Sequence, residues 1–125
     1  MSPSPDEVVR ARRRSQEERV EVARAFAARL PAELDVRGVA VIGSTARGDF
    51  HDESDIDVVV LAERLPDGAA ARQQAVGSPS PDGVEAVVWT VEEWMARQRT
   101  GDLAATEAQD SGIWVRRSPP REAMG

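Results

Sequence analysis

Apolar positions along the chain fall into a few dense runs separated by polar stretches, and the period changes from one run to the next. Val36 to Ile42 is almost unbroken, as is the stretch from Ile56 to Leu61 inside the segment Ser54 to Leu61; both read as strands buried on two faces. Val84 to Thr90 reads as a third strand and Gly112 to Arg116 as a fourth. A helical period governs the N-terminal region. Ser4 followed by Pro5-Asp6-Glu7 is a helix start, with a capping hydroxyl, a proline in the first turn and early acids, and it predicts a helix over about 5–30. Val22, Phe26 and Leu30 recur every four residues with Ala23 and Ala27 beside them, so the second half of this helix meets a core. The first half does not: Arg10 to Arg19 is nearly all polar and is expected to project into solvent or meet a partner.

Shorter helices are expected over Ala69 to Val76, Val91 to Arg99 and Asp102 to Gln109. Thr90 and Glu93 form a capping box for the second of these. Pro31 to Asp35 is a predicted loop, Gly43 to Gly48 a turn with a short helical segment, and Phe50 to Glu53 a polar loop. The Gly-, Ser- and Pro-rich run 77–83 reads as a flexible connection. This order predicts an α/β (α+β) fold with a small mixed sheet of about four strands flanked by helices. One domain over 1–117 accounts for the pattern, with a disordered tail at 118–125.

Composition narrows the chemistry. All sixteen basic residues are Arg, so lysine Schiff bases, a P-loop lysine and lysyl-adenylates are excluded. There is no Cys and a single His, His51, which removes thiolate and His-rich metal sites; His51 itself reads as a solvated loop residue. Any metal would be a hard cation on carboxylate oxygens, Mg²⁺ or Mn²⁺. A net charge of −6 argues against direct nucleic-acid binding through phosphate neutralisation. No stretch has the length of a membrane span or the apolar core of a signal peptide, and a cytoplasmic protein is expected. The three Trp (Trp89, Trp94, Trp114) lie in or beside predicted core elements and are expected to pack there.

The segment 43–57 concentrates the candidate chemistry. Gly43-Ser44 ends the first strand, and after ten intervening residues Asp55-Ile56-Asp57 opens the second. On one strand Asp55 and Asp57 would share a face with Cβ atoms about 6.5–7 Å apart, a spacing that suits cations held between them. Glu85, an acid among valines in the third strand, is the candidate third ligand, because such an acid is costly to bury unpaired. A glycine at a strand end allows close backbone approach, the following turn offers free N–H groups, and Ser44 and Arg47 can bond phosphate oxygens. Each feature alone has an ordinary explanation: a solvated strand edge, a common turn, a surface charge. An EF-hand loop does not fit, since neither Asp52 nor Asp55 is followed by glycine at position six. The combination outweighs the separate explanations.

This wording, with Ala46-Arg47-Gly48-Asp49 and Ser54-Asp55-Ile56-Asp57 between and around the two halves, resembles the minimal nucleotidyltransferases of the DNA polymerase β-type superfamily over roughly residues 36–115. The resemblance implies that fold and Mg²⁺-dependent transfer of a nucleoside monophosphate from ATP or another nucleoside triphosphate to a hydroxyl. It implies two metal ions on Asp55 and Asp57, with Glu85 on the metal that activates the acceptor, and the triphosphate on Gly43, Ser44 and Arg47. Small members of this type act as antitoxins for a helical HEPN-type ribonuclease toxin, by covering it or by modifying one of its tyrosines, so a separate partner protein is expected; a homodimer is the other way to complete an acceptor site. The sequence departs from many members in carrying Glu85 where they have Asp, longer by one methylene. Two alternatives stand beside this expectation: a binding module that masks a partner with weak chemistry, and a nucleotidyltransferase acting on a cationic small molecule of the aminoglycoside kind.

Overall fold

The computed structural model describes residues 2–117. The proposed tail, 118–125, lies outside the described residues. Four strands, β1 (Val36–Ile42), β2 (Ile56–Ala62), β3 (Val84–Thr90) and β4 (Ile113–Arg117), form one sheet in the order β3-β2-β1-β4. β1 runs antiparallel to both β2 and β4, while β2 and β3 are parallel. The sheet is therefore mixed, with five α-helices around it: α1 (Pro5–Ala28), α2 (Gly43–Arg47), α3 (Ala69–Val76), α4 (Val91–Thr100) and α5 (Leu103–Ser111).

The unbroken apolar character of β1 and β2 follows from their central position. One face of the sheet buries Val39, Val41, Val58 and Val60 under Ala23, Phe26 and Ala27 of α1 and Val76 of α3. The other face buries Ala40, Ile42, Val59 and Leu61 under Ala105 and Ala108 of α5. β3 lies at an edge and alternates instead. Val84, Ala86 and Val88 are buried, while Glu85 and Val87 are exposed. Trp94 bridges Trp89 and Trp114 on the second face, with ring centroids 6.2 and 6.0 Å away, so the tryptophans pack together as expected.

Helix starts agree with the capping signals. The Ser4 hydroxyl accepts from the Glu7 N–H at 3.1 Å, and Ser4 N–H donates to Glu7 at 2.8 Å. Thr90 and Glu93 form the equivalent box at 3.0 and 2.9 Å, and Arg72 grips the same Glu93 carboxylate at 2.7 Å.

Four local expectations are corrected. The run 77–83 is held by specific bonds: Ser78 Oγ accepts from Ala86 N–H, Ser80 Oγ from Val84 N–H, and Ser80 N–H donates to the Val84 carbonyl. These hydroxyls satisfy the outer edge of β3, which would otherwise be unpaired. Phe50, placed in a polar loop by its neighbours, is buried. β2 begins at Ile56, because His51 and Ser54 close a turn on each other (His51 N–H to Ser54 Oγ, 2.9 Å; Ser54 N–H to the His51 carbonyl, 3.0 Å). Asp55 thus stands one residue ahead of the strand. Finally, the polar half of α1 does not simply project into solvent, as described below.

Candidate active site

β1 delivers Gly43 to the end of the sheet at which β2 begins, and the register makes Asp57 the direct partner of Ile42 on one side and of Glu85 on the other. All three carboxylates named from the sequence therefore gather at one place: Asp57 and Glu85 side by side on parallel strands, and Asp55 next to Asp57. Asp57 is half-buried, while Asp55 and Glu85 are exposed.

Electrostatics records the crowding. The Asp57 carboxyl is held above its ordinary range, first by burial and then by the charges of Asp55 and Glu107; Arg19 and Arg47 oppose the shift. Glu85 is also raised, chiefly by the charge of Asp55, then by desolvation, a hydrogen bond with Asp55 and the charge of Asp57. Hard oxygen donors that repel one another this way fit a divalent cation, which would relieve the repulsion. The three are neighbours, but among the described residues no three His, Cys, Asp or Glu groups form a metal-ligating cluster.

The Gly43-Ser44 turn opens α2, a single short helix that ends at Gly48 (φ +87°). Gly43 has φ +71°, a conformation that side-chain-bearing residues rarely adopt, and a Cβ there would lie 2.9 Å from Asp57 Oδ2. The turn and the acids are in contact, so the two halves of the motif make one site. Ser44 is partly exposed and Arg47 exposed.

Two sets of contacts at the site have no sequence signal. One comes from the polar half of α1. Arg12 donates to the carbonyls of Gly48 (3.1 Å) and Phe50, and Gln16 to those of Thr45 (2.9 Å) and Ala46 (3.3 Å). Arg19 donates to Oγ1 of the fully buried Thr45 at 3.0 Å and to the carbonyls of Ser54 and Asp55. The guanidinium groups of Arg12 and Arg19 lie 4.2 and 4.6 Å from the ring centroid of Phe50. Arg19 thus ties the glycine turn to the backbone that carries Asp55. Spacings of three and four residues put Arg12, Gln16 and Arg19 on one helix face, which is the only hint the sequence offers.

The other is Glu107 of α5. Its Oε2 accepts from the Gly43 N–H at 2.7 Å and from Arg47 Nη1 at 3.0 Å, while Arg47 Nε contacts Asp49 at 3.3 Å. Nothing in the polar surface of α5 distinguishes Glu107 from its neighbours in the sequence.

The site can be set beside known proteins. The family described as "Nucleotidyltransferase domain" matches residues 20–98, more than half of the chain. Among solved structures, the chain is similar to a crystal structure at 1.40 Å of a protein from Sulfolobus solfataricus proposed to be a nucleotidyltransferase. The two share 20% identity with a TM-score of 0.60, over 82% of this chain and 84% of the other, a likeness of fold. No functionally curated protein matches the chain.

Proposed function

The chain belongs to the nucleotidyltransferase domain family, and from that premise we propose that it moves a nucleoside monophosphate from a nucleoside triphosphate to a hydroxyl acceptor, releasing pyrophosphate. The observation that carries this reading is the contact between Gly43 and Asp57, with Glu85 paired to Asp57 across the sheet. A turn able to hold phosphates and a group of acids able to hold a cation are too close together to serve separate purposes.

In this reading Gly43 N–H, the Ser44 hydroxyl and the Arg47 guanidinium hold the triphosphate. Asp55, Asp57 and Glu85 would hold magnesium or manganese ions. Such ions, when bound, neutralise charge on the phosphates and lower the proton affinity of the acceptor hydroxyl. The chain's own groups supply the rest. The charge of Asp55 makes the Glu85 carboxylate more basic than an isolated acid, and Glu85 is exposed where an incoming hydroxyl can reach it. The hydroxyl oxygen attacks the α-phosphorus, the bond to pyrophosphate breaks, and the hydroxyl proton passes to the Glu85 carboxylate. Arg47 remains on the departing pyrophosphate, where negative charge accumulates.

We read the donor as ATP and the acceptor as a tyrosine of a separate helical protein of the HEPN ribonuclease type, so that transfer would make this chain an antitoxin. The exposure of Asp55 and Glu85 supports an acceptor as large as a protein, since no described element closes over them. A second reading, a binding module whose chemistry is weak, is favoured by one observation: the three carboxylates are neighbours without forming a three-ligand cluster.

The test incubates the protein with α-labelled ATP, Mg²⁺ or Mn²⁺ and the protein encoded by the neighbouring gene. Label should appear on that protein, disappear with chelator and be absent for Asp55→Ala/Asp57→Ala. Tight association without label transfer, unchanged in that double variant, would establish the binding-module reading instead.

A further inference from the structure

Glu107 lies outside the segment 20–98 that carries the family match, yet its carboxylate sits on two of the groups assigned to the donor. A single oxygen, Oε2, takes the Gly43 N–H at 2.7 Å and the Arg47 guanidinium at 3.0 Å, the pair of donors that a phosphate oxygen would take. We propose that Glu107 is a built-in anion occupying the triphosphate site, which the phosphates of the donor displace, and that it sets the affinity for that donor. This inference rests on the reading of Gly43, Ser44 and Arg47 as the triphosphate holders.

Three observations make displacement feasible. Arg47 and Glu107 are partly solvated, with 53% and 28% of their side chains exposed, and ion pairs open to water are weak. α5 itself is anchored, since Ala105 and Ala108 are fully buried against the sheet and Asp102 caps the helix by accepting from the Ala105 N–H at 3.1 Å. A change of side-chain rotamer at Glu107 therefore clears the site without moving the helix. The competition also favours a polyphosphate, because one carboxylate carries a single charge while a triphosphate offers several charged oxygens to the Arg47 fork and the turn.

The experiment measures binding of ATP and of inorganic tripolyphosphate, each with Mg²⁺, to the wild-type chain, Glu107→Ala and Glu107→Gln, with circular dichroism confirming the fold. Removing the internal anion should tighten both ligands about three- to tenfold in Glu107→Ala, and less in Glu107→Gln, whose amide oxygen can still accept from Gly43. In an Arg47→Ala background the gain should shrink, because Arg47 is the shared partner. Unchanged or weaker binding in both Glu107 variants overturns the proposal, and if the wild type still binds ATP and transfers label the transferase reading stands. Tighter tripolyphosphate binding with no nucleotidyl transfer by any variant upholds the role of Glu107 and overturns the transferase reading. Failure of every form to bind either ligand overturns both.

Discussion

A side chain on Gly43 would place its Cβ 2.9 Å from Asp57 Oδ2. That single distance joins the glycine turn to the acids, and it explains why the residue there is glycine twice over: the φ of +71° disfavours any side chain, and the space is already taken. Gly43→Ala should therefore cost about 1–2 kcal/mol of backbone strain and push Asp57 out of line. Thermal unfolding should show a lower Tm, and transfer of label from ATP should fall by about tenfold or more, since small misplacements of reacting groups are costly.

Asp57 is a stability liability kept at the centre of the site. Its folded-state carboxyl is raised above the unfolded value by burial, with Asp55 and Glu107 adding to the effect, so the native state binds protons more readily than the unfolded chain does. Stability must then decline as pH rises from the ordinary Asp value through the raised one. Asp57→Asn should raise Tm at pH 7 and abolish transfer. The Tm gain should fade as the pH is lowered through the raised native range of Asp57 into the ordinary Asp range, where the carboxyl takes up its proton. A Tm that falls at pH 7 on this substitution would contradict the argument.

Arg19 should act as a positioning residue. Arg19→Ala leaves the buried Thr45 hydroxyl and the Ser54 carbonyl without their donor, an effect of about 1–3 kcal/mol in denaturant unfolding. Because both the turn and the Asp55 backbone loosen, kcat should fall more than the KM for ATP rises. Arg19→Lys should recover part of the stability and little of kcat, as a point charge cannot reach both segments at once.

Away from the site, Thr90→Ala removes the cap of α4 and should cost about 1 kcal/mol of stability. Thr90 touches neither the turn nor the acids, so transfer measured well below the new Tm should be unchanged. A loss of activity at that temperature would show that α4 is coupled to the site.

Much of this architecture is legible in the sequence because it is set by local physics. Period-two and unbroken apolar runs give β1 and β3 their observed ends, Ser4 and Thr90 start their helices through capping boxes, and Gly43, Ser44, Asp55, Asp57 and Glu85 are picked out by residue type and spacing. Even the pairing of Asp57 with Glu85 is anticipated once β3 is laid beside β2.

The tertiary structure alone decides what surrounds those residues. Arg12, Gln16 and Arg19 look like a solvated polar surface in the sequence, since all but one of their partners are backbone carbonyls 29 to 38 residues away, and a carbonyl leaves no mark in the identity of a side chain. Phe50 looks misplaced among polar neighbours until two guanidinium groups are seen against its ring. Ser78 and Ser80 read as linker residues because the strand edge they satisfy appears only when the sheet is assembled. Glu107 reaches Gly43 across 64 residues of sequence. The chain's local pattern determines which groups could do chemistry; the packing of α1 and α5 against the sheet determines how those groups are held and which side chains they touch.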